Sequence, residues 1–346
     1  MMFYRYVGKG WLFILSLVFL PIQLYAQDVQ FSQFYANVLY LNPAFAGSAH
    51  QSRVIFHQRI QWPGLNAKYV TSSFSIDHYF HKANSGVGLM VLRDEQGSST
   101  ISSTEVSMQY AYELLLSSKF AFRAGLQATY ASRYINYDYL KFPDQYTVNG
   151  PTGQATQEPF GANKVTYLDF SAGGLLYSEK FWLGFSAYHL NTPNQSFYGN
   201  VSNLPMKFDV ISGYKFILQG GEKISSQTGD HEIYITPTAH FKAQGMSDQL
   251  DIGIYGLYHQ LMIGGWYRGI PLKQYHVGLQ NNESAVILVG FKSHGFSFGY
   301  SYDITVSKLA LYRTLGSHEI NITYVFNPPK KAKRKVRKLP CPNFDK

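Results

Sequence analysis

The sequence predicts an all-β protein, a transmembrane outer-membrane β-barrel of about 14 antiparallel strands. Three observations carry this: an export signal at the start, short segments in which apolar and polar residues alternate, and connections that switch between very short and long.

The export signal comes first. Arg5 and Lys9 supply a positive start, residues 11–20 are an apolar run too short to span a bilayer, and Leu24-Tyr25-Ala26 ends on the small residue that signal peptidase requires. Residues 1–26 are therefore read as a signal peptide, with the mature chain expected to begin at Gln27. No cysteine lies at that site to carry a lipoprotein anchor. No later stretch reaches the roughly eighteen consecutive apolar residues of a helical span. The 28 Tyr, 25 Phe and 30 Gly suit strands and turns instead.

Period two can be followed residue by residue. Val106, Met108, Tyr110, Tyr112 and Leu114 share one face, opposite Glu105, Ser107, Gln109, Ala111 and Glu113. Phe122, Ala124, Leu126, Ala128 and Tyr130 stand opposite Arg123, Gly125, Gln127 and Thr129. Phe208, Val210, Tyr214 and Phe216 oppose Lys207, Asp209 and Lys215, and Phe296, Phe298, Tyr300, Tyr302 and Ile304 oppose Ser297, Gly299, Ser301 and Asp303. Such segments fall near residues 53–62, 68–78, 86–94, 102–116, 120–136, 165–178 and 181–189 in the first half. The second half repeats them near 206–218, 231–242, 249–258, 261–268, 284–292, 296–305 and 317–326.

Connection lengths set the orientation. Tight links occur at 81–85, 117–119, 179–180, 259–260 and 293–295, and long ones at 137–164, 190–205, 269–283 and 306–316. Outer-membrane barrels have short periplasmic turns and longer outer loops, which puts the tight set, and with an even strand number both termini, in the periplasm. Residues 219–230 break the rule, being long and polar on the tight side.

A soluble β-sandwich also alternates, but its outer face is the polar one and it needs no regular switching of loop length. Aromatics near segment ends, Trp62, Phe80, Tyr130, Tyr188, Trp266, Tyr302 and Phe326, mark where interfacial girdles are expected. Ile320, Ile322, Tyr324 and Phe326 share a face of the last segment, which ends on an aromatic.

The formal net charge of +9 is unevenly placed. Two positives lie in the signal peptide and a net seven in residues 330–346, leaving residues 27–329 formally neutral. A cationic tail, not a basic face on the fold, accounts for the balance, so no nucleic-acid partner is expected. Asn327-Pro328-Pro329 ends the last strand, and the run holding Lys331, Lys333, Arg334, Lys335, Arg337 and Lys338 is too charged to fold alone. Residues 327–346 are thus either a disordered periplasmic extension or a contact for an acidic partner or anionic leaflet. The lone cysteine, Cys341, excludes an internal disulfide and a thiolate metal cluster; it is an inert thiol or a cross-link to another chain.

Residues 27–52 precede the barrel, which is expected over 53–326. Phe31, Phe34, Tyr35 and Val38 form a turn-periodic apolar stripe that Asn42-Pro43 would end. This fits either a plug inside the barrel or a leader packed at the periplasmic rim, with Asn42, Pro43 and Gly47 shaping the entry to the first strand. The polar strand faces carry Arg53, Arg59, Glu105, Glu113, Arg123, Asp169, Lys207, Asp209, Lys215, Asp251, Asp303 and Glu319. Both signs on neighbouring strands suit a lumen filled by cross-strand ion pairs, with a small-solute diffusion channel as the alternative.

No catalytic residue, metal set or cofactor site emerges. Gly295-Phe296-Ser297-Phe298-Gly299 has the letters of a nucleophile elbow but continues as alternating strand, without the strand-to-helix turn that chemistry requires. The 11 histidines include no pair at metal-ligand spacing on a helix, and no phosphate-binding loop occurs. His318-Glu319 heads the last strand and reads as a loop–strand hydrogen bond. Residues 137–164 mix Tyr139, Phe142, Tyr146 and Phe160 with Gly150, Pro151, Gly153, Pro159 and Gly161, and residues 190–205 add Phe197 and Tyr198. These aromatics, with the basic tail, are the candidate partner-binding residues; a solvated, variable loop is the competing reading.

The segment Asp28-Val29-Gln30-Phe31-Ser32-Gln33-Phe34-Tyr35-Ala36-Asn37, continued by Leu41-Asn42-Pro43-Ala44-Phe45-Ala46-Gly47-Ser48, resembles the opening of the PorP/SprF family of type IX secretion system outer-membrane proteins. Val29 and Phe45 stand where many members carry Pro and Tyr. Gln61-Trp62-Pro63-Gly64, Phe142-Pro143-Asp144-Gln145-Tyr146, Leu204-Pro205-Met206-Lys207, Asp248-Gln249-Leu250-Asp251, Trp266-Tyr267-Arg268-Gly269, Phe298-Gly299-Tyr300-Ser301-Tyr302-Asp303 and Gly316-Ser317-His318-Glu319-Ile320 follow in the family's order. The resemblance covers nearly the whole mature chain. It implies a non-enzymatic role without cofactor: supporting type IX export and gliding, associating with periplasmic ring components, or holding a secreted cargo or adhesin C-terminal domain at the cell surface. Outer-membrane lipid and those secretion components are the partners it implies.

Overall fold

A computed structural model describes residues 28–97, 100–219, 233–276, 279–307 and 311–326. The expected signal peptide, most of the 219–230 connection, and the basic tail with Lys331, Lys333, Arg334, Lys335, Arg337, Lys338 and Cys341 lie outside the described residues.

The first strands are β1 (Ser52–Gln61), β2 (Tyr69–Phe80), β3 (Ser85–Gln96), β4 (Ile101–Leu115) and β5 (Ala121–Ile135). A small hairpin of β6 (Tyr146–Thr147) and β7 (Gly150–Pro151) stands in the connection that follows. β8 (Lys164–Tyr177), β9 (Phe181–Tyr188), β10 (Lys207–Tyr214), β11 (Phe216–Gln219) and β12 (Ile233–Gln244) come next. β13 (Ser247–Tyr258), β14 (Leu261–His276), β15 (Leu279–Ser293), β16 (Phe296–Thr305) and β17 (Ser317–Phe326) complete the chain.

Apart from the hairpin, every strand pairs antiparallel with its neighbours in sequence order. β10 and β11 are two parts of one stave, interrupted at Lys215, and both pair with β12. β17 returns to pair with β1 over ten residues, from Ser52 opposite Phe326 to Gln61 opposite Ser317. The result is a closed barrel of 14 staves, the number the alternating segments predict. Closure satisfies every strand's hydrogen-bonding edge, which spanning a bilayer requires.

The faces are inverted relative to a soluble protein. Met108 and Leu126 are each 63% exposed on the outside, whereas Arg53, Arg123, Arg268 and Glu319 are 0% exposed inside. An apolar exterior around a polar interior is the pattern of a barrel solvated by lipid. A sandwich would reverse it.

Short turns at 81–84, 116–120, 178–180, 259–260 and 294–295 gather at one end, with the start of β1 and the end of β17. The longer connections 136–163, 189–206 and 306–316 lie at the other. Three expectations are corrected. Residues 269–283 are not a loop over their described length, because β14 runs on to His276 and β15 begins at Leu279, the two paired with register shifts after Arg268, Ile270 and Gln274; Gly269 (φ +143°) and Pro271 hide this by breaking the alternation. The long-loop end also holds a two-residue turn, Gly245-Met246, between β12 and β13. Tyr188 and Trp266 do not stand in an outer girdle: each is 5% exposed and faces inward, Tyr188 under Lys207 and Trp266 against Phe34 and Tyr35.

Residues 28–50 run through the lumen. A single helical turn, Val38–Leu41, stops at Asn42, and a 3-10 turn, Pro43–Phe45, begins where Pro43 needs no amide partner. The apolar stripe Phe31, Phe34, Tyr35 and Val38 is buried, but so are Ser32, Gln33 and Asn37, since the wall on every side is polar. Asp28 meets Lys207 and Gln244, at the long-loop end, while His50 meets Glu113, at the tight end. The start of β1 and the end of β17 thus lie at the tight end of the barrel, and residue 28 lies at the long-loop end.

Candidate functional site

Three side-chain networks fix the lumenal segment. In the first, Glu319 of β17 accepts the backbone amides of Ser32 at 2.7 Å and Gln33 at 2.5 Å, and pairs with Arg59 at 3.0 Å and His57 at 2.7 Å. Asp303 accepts the Ser32 hydroxyl at 2.6 Å and bridges Arg59 at 2.8 Å to Arg268 at 3.1 Å, which reaches Asp251 at 3.1 Å. Glu319 is thus the hub of the interior, well beyond a loop–strand hydrogen bond, while His318 points outward to the Tyr300 hydroxyl at 2.8 Å.

The second network lies near the tight end. Arg53 grips Asp77 with two hydrogen bonds of 2.9 Å, and Asp77 accepts the Gly47 amide at 2.7 Å. Arg123 pairs with Glu113 at 2.6 Å and donates to the carbonyls of Ala44, at 2.9 Å, and Ala46. Strand glycines let the segment lie directly on the wall. A Cβ at Gly125 would stand 2.3 Å from the Ala44 nitrogen, and one at Gly86 would stand 1.9 Å from the Ala46 carbonyl oxygen. Asn42 does more than shape the entry to β1: its amide donates to the carbonyls of Gly174 at 3.1 Å and Phe185 at 2.9 Å, across the barrel in β8 and β9.

The third network closes the long-loop end. Asp28 pairs with Lys207 at 2.8 Å and His189 at 2.9 Å, and exchanges hydrogen bonds of 2.9 Å with Gln244. His189 also meets Asp169 at 3.1 Å, and Asp209 meets His240 at 2.8 Å. Of the twelve inward charges read from the sequence, ten are buried; Glu105 and Lys215 are half-buried, with the Lys215 ammonium 3.9 Å from the Tyr234 ring centre. Sequence reasoning missed Asp77, Arg268, His57, His189 and His240. Strand parity holds the signal for four of them, because each falls on its strand's polar face; His189 lies one residue past β9.

Above this mouth, the loop aromatics separate into a cluster and two outliers. Phe160 stacks on Tyr137 at 4.5 Å and tilts against Phe142 at 5.5 Å. The Ala162 amide donates to the Phe197 carbonyl at 2.6 Å, tying the two long connections together, and Arg133 lies 5.6 Å over the Phe197 ring. Tyr198 is brought to Gly161. Tyr139 and Tyr146 stand apart and exposed. Asp144 organises the same connection from outside the barrel wall: the Gln157 amide at 2.7 Å and the Thr156 hydroxyl at 2.8 Å hold its carboxyl below the usual carboxylate value. Among the described residues no group of His, Cys, Asp and Glu is arranged to hold a metal ion.

A closed antiparallel ring, lipid-facing on the outside and filled with paired charges within, defines the class: an outer-membrane β-barrel. Its sequence is matched over residues 23–324 by the family described as type IX secretion system membrane protein PorP/SprF, and the chain belongs to that family. No curated protein matches it. Solved structures of similar shape include the Acinetobacter baumannii outer membrane protein Omp33, with 9% identity over 81% of this chain and 100% of that one and a TM-score of 0.43. The Pseudomonas putida toluene transporter TodX has 10% identity over 87% and 98% and a TM-score of 0.45, and a Pseudomonas aeruginosa FadL homologue 11% over 84% and 94% and a TM-score of 0.41. Likenesses this distant say nothing about activity.

Proposed function

We propose that this barrel is a non-enzymatic scaffold of the type IX secretion and gliding machinery, holding a secreted cargo or adhesin C-terminal domain at its long-loop face. The tight-turn end faces the periplasm in this reading, where the basic tail meets ring components. The observation that carries it is the filled lumen: residues 31–49, all buried but for the half-buried Tyr40, are bonded to strands on all sides, which leaves the long connections as the surface for function. Family membership supplies the machinery, and the aromatic cluster around Phe160 supplies apolar anchors of the kind that dominate binding energy. A diffusion channel would need the same space that the lumenal segment occupies.

The test is affinity capture of the tagged protein from detergent-solubilised outer membranes. Recovery of a secreted C-terminal domain or of periplasmic ring proteins supports the scaffold, and their absence from the captured material contradicts it.

A further inference from the structure

Beside Asp28, at the long-loop mouth, a cleft opens among β3, β4, β5, β8 and the 189–206 connection. Its floor is apolar, with Met90, Leu92 and Leu204 all buried, and Tyr167 forms part of the wall. Two carboxylates face it with unspent hydrogen-bonding capacity. Glu105 makes no hydrogen bond or ion pair among the described residues. Asp169 is 4% exposed and uses Oδ2 on His189, while its buried Oδ1 has no partner.

The basic side chains lining the cleft are already engaged, His189 between Asp28 at 2.9 Å and Asp169 at 3.1 Å. Lys207 serves Asp28 at 2.8 Å, and Arg133 donates to the Gln195 side-chain carbonyl. Elsewhere in the lumen each carboxylate is matched by Arg, Lys or His; here Glu105 has no such partner and Asp169 is matched only through Oδ2, by His189, in a half-enclosed site where an uncompensated charge is costly. A third acid, Asp94, is satisfied locally by the Thr71 hydroxyl at 2.7 Å and the Gln96 amide at 2.8 Å.

We propose that this cleft receives an ammonium or guanidinium carried on an aliphatic stem, the side chain of a lysine or arginine presented by a polypeptide docked on the long-loop face. Met90, Leu92 and Leu204 cover the methylenes, Glu105 and the free Oδ1 of Asp169 accept the N–H donors, and Tyr167 adds a ring face for the cation. The identity of the presenting chain rests on the scaffold reading above. The chemistry of the cleft does not.

The experiment is calorimetric titration of the full mature chain in detergent with acetyl-Gly-Lys-Gly-amide and with the same peptide acetylated on the lysine nitrogen. The lysine peptide binds, and acetylation weakens it about tenfold or more, the effect of losing one charge-assisted hydrogen bond. Glu105→Gln, which breaks no contact of the folded chain, weakens the lysine peptide by a similar factor with an unchanged melting temperature, and Glu179→Gln in the tight turn after β8 leaves binding as it was. Equal binding of the two peptides, wild-type binding by Glu105→Gln, or no binding by the lysine peptide at millimolar concentration overturns the proposal. Failure of cargo capture with peptide binding intact counts against the scaffold alone.

Discussion

The carboxylate of Glu319, on the last strand, accepts the backbone amide of Ser32, in the segment that runs through the lumen, at 2.7 Å. The end of the barrel thus holds the segment that fills it. Glu319 also pairs with Arg59 and meets His57, so Glu319→Ala leaves the Arg59 guanidinium with Asp303 alone and strips the buried Ser32 and Gln33 amides of their acceptor. We expect a loss of about 3–5 kcal/mol, the usual consequence of removing one partner from a buried pair. Urea unfolding in detergent or liposomes reads it directly, and a change below about 1 kcal/mol, the scale of a surface pair, would show that the network is not closed.

Gly125 tests contact between wall and segment without touching a charge. Gly125→Val places side-chain carbons where Ala44 lies, 2.3 Å from its nitrogen at the first carbon, so the 3-10 turn Pro43–Phe45 must leave the wall. The outward face of β5 is unaffected, and the barrel still closes. Overpacking of this kind costs about 1–3 kcal/mol. Limited proteolysis is expected to cut within residues 31–50 in the variant and not in the wild type.

The aromatic cluster predicts a binding loss separable from stability. Phe160 stacks on Tyr137 at 4.5 Å, so Phe160→Ala removes the piece that shapes the connection. Cargo capture is expected to fall about tenfold or more, as for a buried aromatic anchor, with the barrel's melting temperature unmoved. Tyr146→Ala, outside the cluster, is the comparison and should fall less.

Asp144 gives the same connection a pH dependence. Its carboxyl is held below the ordinary value by the Gln157 amide and the Thr156 hydroxyl, so its stabilising contribution is present above the ordinary carboxylate value and is lost as pH falls through the lower folded one. Protection of the Gln157 amide from hydrogen exchange, corrected for the intrinsic pH effect, should be retained at neutral pH and disappear in strong acid. Asp144→Asn should lower it already at neutral pH.

Much of the barrel was readable because strand parity is a local property: Glu113 and Arg123 fall on inward positions by counting alone, and the register then sets them opposite each other. The extensions of β14 and β15 were hidden where Gly269 and Pro271 interrupt the count. The lumen was harder to read for a physical reason. Ser32 and Gln33 have the composition of a solvated leader, and only a wall that supplies Glu319, Asp303 and Ser301 turns them into buried residues. Trp266 illustrates the same ambiguity, since an aromatic near a strand end suits a lipid interface or a lumenal stack equally well until its neighbours Phe34 and Tyr35 are placed.

The most direct test of the account is planar-bilayer conductance of the mature protein beside a variant lacking residues 31–50. A lumen crossed from end to end by its own chain predicts no sustained current from the intact protein and stable channel openings from the deletion variant. Persistent channels from the intact protein, of the same size as those of the variant, would contradict the filled barrel on which the scaffold reading rests.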